Sequence, residues 1–136
     1  MTPKTTAKKK ESPKHIRWAD IEEEWLNKDI SRKLAVGKRE MLGFIFLKKG
    51  AIVPAHRHLS EQITFVMKGA LKFTIGGRDY TIRGGEVLII PSQVIHEAVA
   101  LEDTDDFDCF SPLRRDWLTG KDKYLRTGKS YLRKKK

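Results

Sequence analysis

Short apolar runs separated by glycines and polar turns fill the sequence from Leu34 to Phe110. The clearest runs occupy residues 41–47, 63–67, 71–75, 80–83, 87–90, 94–101 and 107–110. Within residues 71–75 apolar and polar positions alternate, and the Gly76-Gly77 pair that follows is typical of a hairpin turn. Short strands at regular spacing, with almost no helix between them, predict an all-β closed barrel or jelly roll.

A different periodicity precedes these strands. Trp18, Ile21 and Trp25 are spaced like one face of a helix. Asp20 is a candidate N-cap, with Glu23 three residues after it. We therefore expect a short N-terminal helix or turn that lays the two tryptophans and the isoleucine against the core.

Positive charge is concentrated at the two ends of the chain. The 136 residues include 28 Lys+Arg against 18 Asp+Glu, which gives a net charge of +10. Residues 1–14 sum to +4 and residues 120–136 to +7, so residues 15–119 sum to −1. Lysine-rich ends with few apolar residues bury too little surface to offset chain entropy. We expect one domain over 15–119 between two solvated, disordered basic tails; a nucleic-acid-binding arm is the less favoured alternative.

The composition also excludes several protein classes. A single cysteine, Cys109, can form neither an internal disulfide nor a zinc site built from several cysteines. No apolar run approaches the roughly 18–20 residues of a membrane-spanning helix. The lysines near the N-terminus are not followed by the apolar stretch of a secretory signal. These features predict a cytoplasmic protein that does not cross a membrane.

Three histidines and a glutamine are the candidate metal ligands. His56 and His58 are separated by one residue, so on a strand both would point to the same face. Gln62 follows four residues later, and His96 lies on a distant strand. Imidazoles that converge from two strands suit a divalent transition metal. An isolated pair of this kind is more often exposed or merely hydrogen-bonded, so the wider context decides.

The spacing around these residues resembles the two sequence motifs of the cupins. The first motif is matched by Gly50, five residues, His56-Arg57-His58, three residues, Gln62, six residues and Gly69. The second is matched by Gly85, five residues, Pro91, two residues and Val94-Ile95-His96. The resemblance covers residues 34–119 and implies a small β-barrel, the cupin jelly roll, that forms a homodimer. It also implies that one metal is held by His56, His58, Gln62 and His96.

The glutamine is a departure from the general cupin motif, which has a ligating glutamate at the position of Gln62. The neighbouring Glu61 has the opposite strand parity. Two non-ligand positions also differ, since the chain has Gln93 instead of glycine and Ala100 instead of asparagine. An all-neutral ligand set leaves the full charge on the metal, which favours Lewis-acid chemistry over iron–oxygen chemistry. The donors suit Mn, Fe, Ni, Co or Zn.

The stretch 108–118 is similar to the end of the KdgF-type cupins, which also have His-x-His followed by Gln. Those proteins belong to pectin and alginate breakdown and convert cyclic 4,5-unsaturated uronates to linear keto acids. The resemblance implies that Asp108 is the general acid/base, Phe110 a wall of the pocket and Arg114 the partner of the substrate carboxylate. Asp108 and Phe110 alternate with Cys109, so both would share one face of the strand.

Purely structural alternatives exist for the roles of Asp108 and Arg114. Asp108 follows an acidic stretch and could be one more member of it. Arg114 could form a surface salt bridge, and Arg115 competes for its role. At the level of the whole protein, the alternatives are an iron-dependent dioxygenase of another cupin branch and a cupin that binds a ligand or metal without catalysis.

Overall fold

The computed structural model of the chain describes residues 11–132. Ten strands make up nearly half of it. In chain order they are β1 (Glu24–Trp25), β2 (Ile30–Val36), β3 (Met41–Leu47), β4 (Ile52–His56), β5 (Glu61–Lys68), β6 (Ala70–Ile75), β7 (Arg78–Arg83), β8 (Glu86–Ile90), β9 (His96–Ala100) and β10 (Thr104–Ser111). They form two antiparallel sheets, ordered β1-β2-β3-β10-β5-β8 and β4-β9-β6-β7. The predicted all-β jelly roll is confirmed.

Side-chain alternation places the core between the two sheets. Along β3 every second residue is buried, from Met41 to Leu47. The inward positions of β5 and β10, in contrast, are partly polar, with Gln62, Thr64 and Asp108 among them. Buried polar side chains are costly unless they find partners. The middle of the larger sheet therefore carries the candidate chemistry into the barrel.

The N-terminal segment forms a short 3-10 helix, Trp18–Asp20, and then enters β1. The predicted helix or turn is therefore present, but its predicted packing is wrong. Trp18 is 47% exposed and Trp25 is 48% exposed, and Trp18 packs edge-on against Phe44 on the outer face of the larger sheet. The 3-10 helix ends at Asp20, and the chain is already extended in β1 at Trp25, so the two tryptophans do not share one helix face.

The C-terminal segment also differs from expectation. Two short helices, α1 (Arg115–Thr119) and α2 (Lys123–Thr127), follow the barrel. In α2, Tyr124 and Leu125 are buried, and the preceding Asp122 is completely buried beside Arg32. Residues 120–132, hereafter the C-terminal segment, thus include side chains packed on the barrel, although the charge pattern predicts a tail. The tail predictions for residues 1–10 and 133–136 lie outside the described residues.

Among residues 11–132, no helix combines the length and the apolar character required to cross a membrane.

Candidate metal centre

Three imidazoles meet at one end of the barrel. His56 ends β4, His96 begins β9, and the two are paired directly across the strands. His58 lies just beyond the end of β4 rather than on it, yet its ring reaches the same place. One ring nitrogen from each histidine lies within 4.8 Å of the others. His56 and His96 are 3% and 2% exposed.

The backbone sets the protonation of all three rings. Each Nδ1 lies 2.8 Å from a backbone carbonyl oxygen two residues away along the chain; the acceptors belong to Pro54, Ser60 and Val94. A carbonyl oxygen only accepts hydrogen bonds, so each Nδ1 carries the ring proton and each Nε2 keeps its lone pair. The buried Nε2 of His96 has no hydrogen-bond partner among the described residues. This is the tautomer that a metal ligand needs.

The rings are also held neutral. Burial, with a smaller contribution from His96, lowers the pKa of His56 to about 2. Burial and the nearby Arg114 guanidinium lower the pKa of His58 to about 4. The pKa of His96 is lowered as well, chiefly by burial. Neutral imidazoles bind metals without first having to lose a proton at neutral pH.

The amide of Gln62 completes the donor set. Its Oε1 lies 3.1 Å from His58 Nε2, while its Nε2 donates to Thr64 Oγ1 at 2.8 Å. An amide oxygen and an unprotonated imidazole nitrogen are both acceptors, so they repel each other unless a cation or a proton lies between them. The low pKa of His58 disfavours the proton. The three imidazoles and this oxygen therefore fit a divalent transition metal.

Two buried carboxyl groups stand beside this cluster. Asp106 and Asp108 alternate along β10 and both point inward, at 6% and 5% exposure. Thr64 Oγ1 donates a hydrogen bond to Asp108 Oδ1 at 2.8 Å. Burial raises the pKa of Asp108 to about 6, a value suited to moving a proton near neutral pH. Phe110, next on the same face, is 1% exposed and packs edge-on against His58.

Asp106 gives a prediction for stability against pH. Burial, and then the charge of Asp108, raise the pKa of Asp106 well above its ordinary value of 3.8. At pH values between the pKa of Asp106 in the unfolded state and its higher pKa in the folded state, folding therefore takes up a proton. The free energy of unfolding falls by about 1.4 kcal/mol per pH unit as the pH rises through this range. Asp106→Asn removes this titration, so we expect the metal-free variant to be about 1–3 kcal/mol more stable than wild type at pH 7.

Urea unfolding of both metal-free proteins at several pH values between 4 and 8 measures this difference. The advantage of Asp106→Asn should grow as the pH rises, whereas a buried but unperturbed carboxyl would give parallel curves. An Asp106→Asn protein less stable than wild type at pH 7 would contradict the prediction.

Arg114 lies at the same end of the barrel but is already paired. Its side chain is 2% exposed, and its Nε and Nη2 donate to the two oxygens of Asp116 at 3.0 and 2.8 Å. Nη2 also donates to the Tyr124 hydroxyl. The competing Arg115 is exposed. A substrate carboxylate would therefore have to share the guanidinium of Arg114 with Asp116.

Tyr124 is a site residue that the sequence did not indicate. Its ring stacks on the His56 imidazole, with centroids 4.7 Å apart and planes 30° apart. Its hydroxyl also donates to Asp116 Oδ2 at 3.3 Å. Thr64, Asp106 and Asp116 were missed as well. Thr64 could have been found, because it shares strand parity with Gln62, whereas Tyr124 lies in a stretch dominated by lysines.

Little free space remains inside the barrel. The cavity between His56, Gln62, His96 and Asp108 has a volume of about 50 Å³. Small-molecule pockets usually measure about 300–1,000 Å³. A cleft of about 350 Å³ opens on the outer side of Arg114, and His58 and Arg115 also line it. Of the three histidines, His58 lines this cleft, and Arg114 lines both the cleft and the inner cavity.

Comparisons with known proteins agree with this geometry. The family model of the cupin domain matches residues 43–111. KdgF from Halomonas sp. is 28% identical, with 78% of this chain and 99% of that chain covered and a TM-score of 0.73. An RmlC-like cupin from Shewanella frigidimarina is 25% identical, with coverage of 78% and 96% and a TM-score of 0.72.

The polyketide cyclase RemF from Streptomyces resistomycificus shares the fold at 20% identity, with 74% of this chain and 80% of that chain covered and a TM-score of 0.64. A comparison with curated protein sequences gave no significant match.

Proposed function

The chain belongs to the cupin family, and from that premise we propose that it is a metal-dependent enzyme acting on a small sugar acid. The metal ligands would be His56, His58, Gln62 and His96. The observation that carries the proposal is the set of unprotonated acceptors that face one another in the barrel. The similarity to KdgF supports a 4,5-unsaturated uronate as the substrate.

The residues around the ligands suit ring opening and tautomerisation. A bound divalent metal would supply Lewis-acid polarisation of a substrate oxygen. Asp108 would accept a proton from a substrate hydroxyl and return it to a carbon atom of the ring-opened substrate, so the reaction needs no redox partner. A pKa of about 6 lets the same carboxyl act in both directions near neutral pH.

Two further side chains would orient the substrate. Arg114 would bind the substrate carboxylate through its guanidinium edge beside the cleft, sharing its charge with Asp116. Phe110 would form a wall that keeps water away from Asp108. A carboxylate held next to a guanidinium fixes one end of a small sugar acid and leaves its ring toward the histidines.

The test is an assay with an unsaturated uronate, followed by loss of its conjugated ultraviolet absorbance, together with elemental analysis of the purified protein. Turnover should stop after treatment with a chelator and return when metal is restored. Fully metal-loaded protein without turnover would overturn the proposal in favour of a binding protein. Oxygen uptake that depends on added Fe(II) would overturn it in favour of a dioxygenase. The cytoplasmic location stays a prediction from the sequence.

We also propose that the protein forms a homodimer through the outer face of its larger sheet. Five apolar side chains of β5 and β8 are 39–60% exposed there: Ile63, Phe65, Met67, Val87 and Ile89. An antiparallel sheet that faces water usually carries polar residues on that side. A contiguous apolar face of this kind marks an interaction surface.

Met67→Glu is expected to convert a dimer into a monomer, because each subunit would then have to bury a carboxylate in an apolar interface. Ile52→Glu is a matched control, since Ile52 has the same 57% exposure as Met67 but lies on the smaller sheet. Light scattering coupled to size-exclusion chromatography measures both. A monomeric wild type, or a Met67→Glu variant that stays dimeric, would contradict the proposed interface.

A further inference from the structure

A chain of hydrogen bonds joins the candidate metal ligands to the candidate acid/base through Thr64. Gln62 Nε2 donates to Thr64 Oγ1 at 2.8 Å, and Thr64 Oγ1 donates to Asp108 Oδ1 at 2.8 Å. Thr64 is 0% exposed, so water does not compete for its hydroxyl. It lies on the same face of β5 as Gln62 and opposite Asp108 on β10.

The chemistry of the three groups fixes which of them donates and which accepts along this series of hydrogen bonds. An ionised carboxylate only accepts hydrogen bonds, so the single proton of the Thr64 hydroxyl goes to Asp108. The hydroxyl oxygen can then only accept from Gln62, and the donor must be the amide nitrogen. The amide oxygen is left on the other side, 3.1 Å from His58 Nε2. The carboxylate of Asp108 thus determines, through Thr64, which end of the Gln62 amide faces the histidines.

We propose that Thr64 is a positioning residue that holds Gln62 in the metal-binding orientation. The inference rests on the proposed metal site. An amide oxygen is a metal ligand, whereas an amide nitrogen has no available lone pair and would turn its hydrogens toward the metal. A carboxylate ligand would need no such device, because its two oxygens are equivalent. Orientation by Thr64 is therefore needed only because this protein has a glutamine where the general cupin motif has a glutamate.

Thr64→Val is the decisive variant, because valine keeps the shape of threonine and only replaces the hydroxyl with a methyl group. We expect its affinity for Co(II) to fall about 10–100-fold, the usual cost of losing a group that orients a metal ligand. The visible absorption bands of the Co(II) protein should shift, because they report ligand geometry. Thr64→Ser keeps the hydroxyl and should restore both affinity and spectrum.

A double-mutant cycle separates orientation from packing. In a Gln62→Glu background the ligand has no wrong orientation, so Thr64→Val should cost much less Co(II) affinity there than in wild type. Thermal unfolding of the metal-free proteins checks that each variant is folded. Wild-type affinity and spectrum in Thr64→Val would overturn the inference, and so would an equal loss in both backgrounds.

These measurements do not depend on turnover. A protein that binds Co(II) but leaves uronates unchanged would refute the proposed activity while the Thr64 inference is still judged by affinity and spectrum. A wild-type protein that does not bind Co(II) would refute both.

Discussion

Replacing Asp108 with asparagine is expected to lower the rate of uronate turnover about 10²–10⁴-fold, the usual contribution of a general acid or base. The side chain is 5% exposed and its pKa is raised to about 6, so it exchanges a proton readily near neutral pH. Asparagine keeps the shape and the hydrogen bond from Thr64 but cannot accept the substrate proton. At a saturating metal concentration the metal content should stay the same while the rate falls.

Asp105→Asn is the matched control for this experiment. Asp105 lies on the same strand but points outward and is exposed, so its replacement should leave the rate unchanged. Steady-state rates and metal content of the three proteins, measured side by side, decide the outcome. Equal rates for wild type and Asp108→Asn would show that another group moves the proton.

Asp122→Asn is expected to destabilise the protein by about 3 kcal/mol, the lower end of the cost of breaking a buried ion pair. Asp122 is completely buried and Arg32 almost completely, and Arg32 Nη1 lies 2.8 Å from Asp122 Oδ2. These two atoms form an ion pair without the alignment of a hydrogen bond. Glu24 still contacts Arg32 Nε at 2.9 Å, which limits the loss.

The same change should loosen the metal site, because Asp122 holds the start of α2 and α2 carries Tyr124. Urea unfolding measures the stability, and Co(II) titration measures the site. Asp20→Asn is the control, since it breaks the exposed pair with Arg17, and little change is expected there. If Asp122→Asn is no more destabilising than Asp20→Asn, the buried pair does not hold the helix.

Local patterns in the sequence were sufficient to predict the jelly roll. The alternation in runs such as 71–75 and the glycines between them follow from pairing rules that act over a few residues. The prediction that His56, His58 and His96 converge also rested on spacing, and the structure brings the three rings together. Metal binding itself and the role of Asp108 stay predictions.

Features that depend on distant partners could not be predicted. The burial of Asp122 requires Arg32, which lies 90 positions earlier in the sequence, so a lysine-rich stretch gave no sign of it. Trp18 and Trp25 have helical spacing, but the pairing of β1 with β2 holds the chain extended at Trp25. The role of Tyr124 also depends on distant contacts, because α2 lies against β4 only when the C-terminal segment packs on the barrel.

The carbonyl oxygens that receive the Nδ1 protons of the three histidines bear on how this site can evolve. Because these acceptors belong to the main chain, no side-chain replacement at Pro54, Ser60 or Val94 deletes them. The orientation of each ring survives mutational drift at its neighbours as long as the local backbone path is kept. These hydrogen bonds do not depend on the side chains that would contact a substrate, such as Phe110 and Arg114. A family built this way can acquire new substrates while its central cluster stays intact.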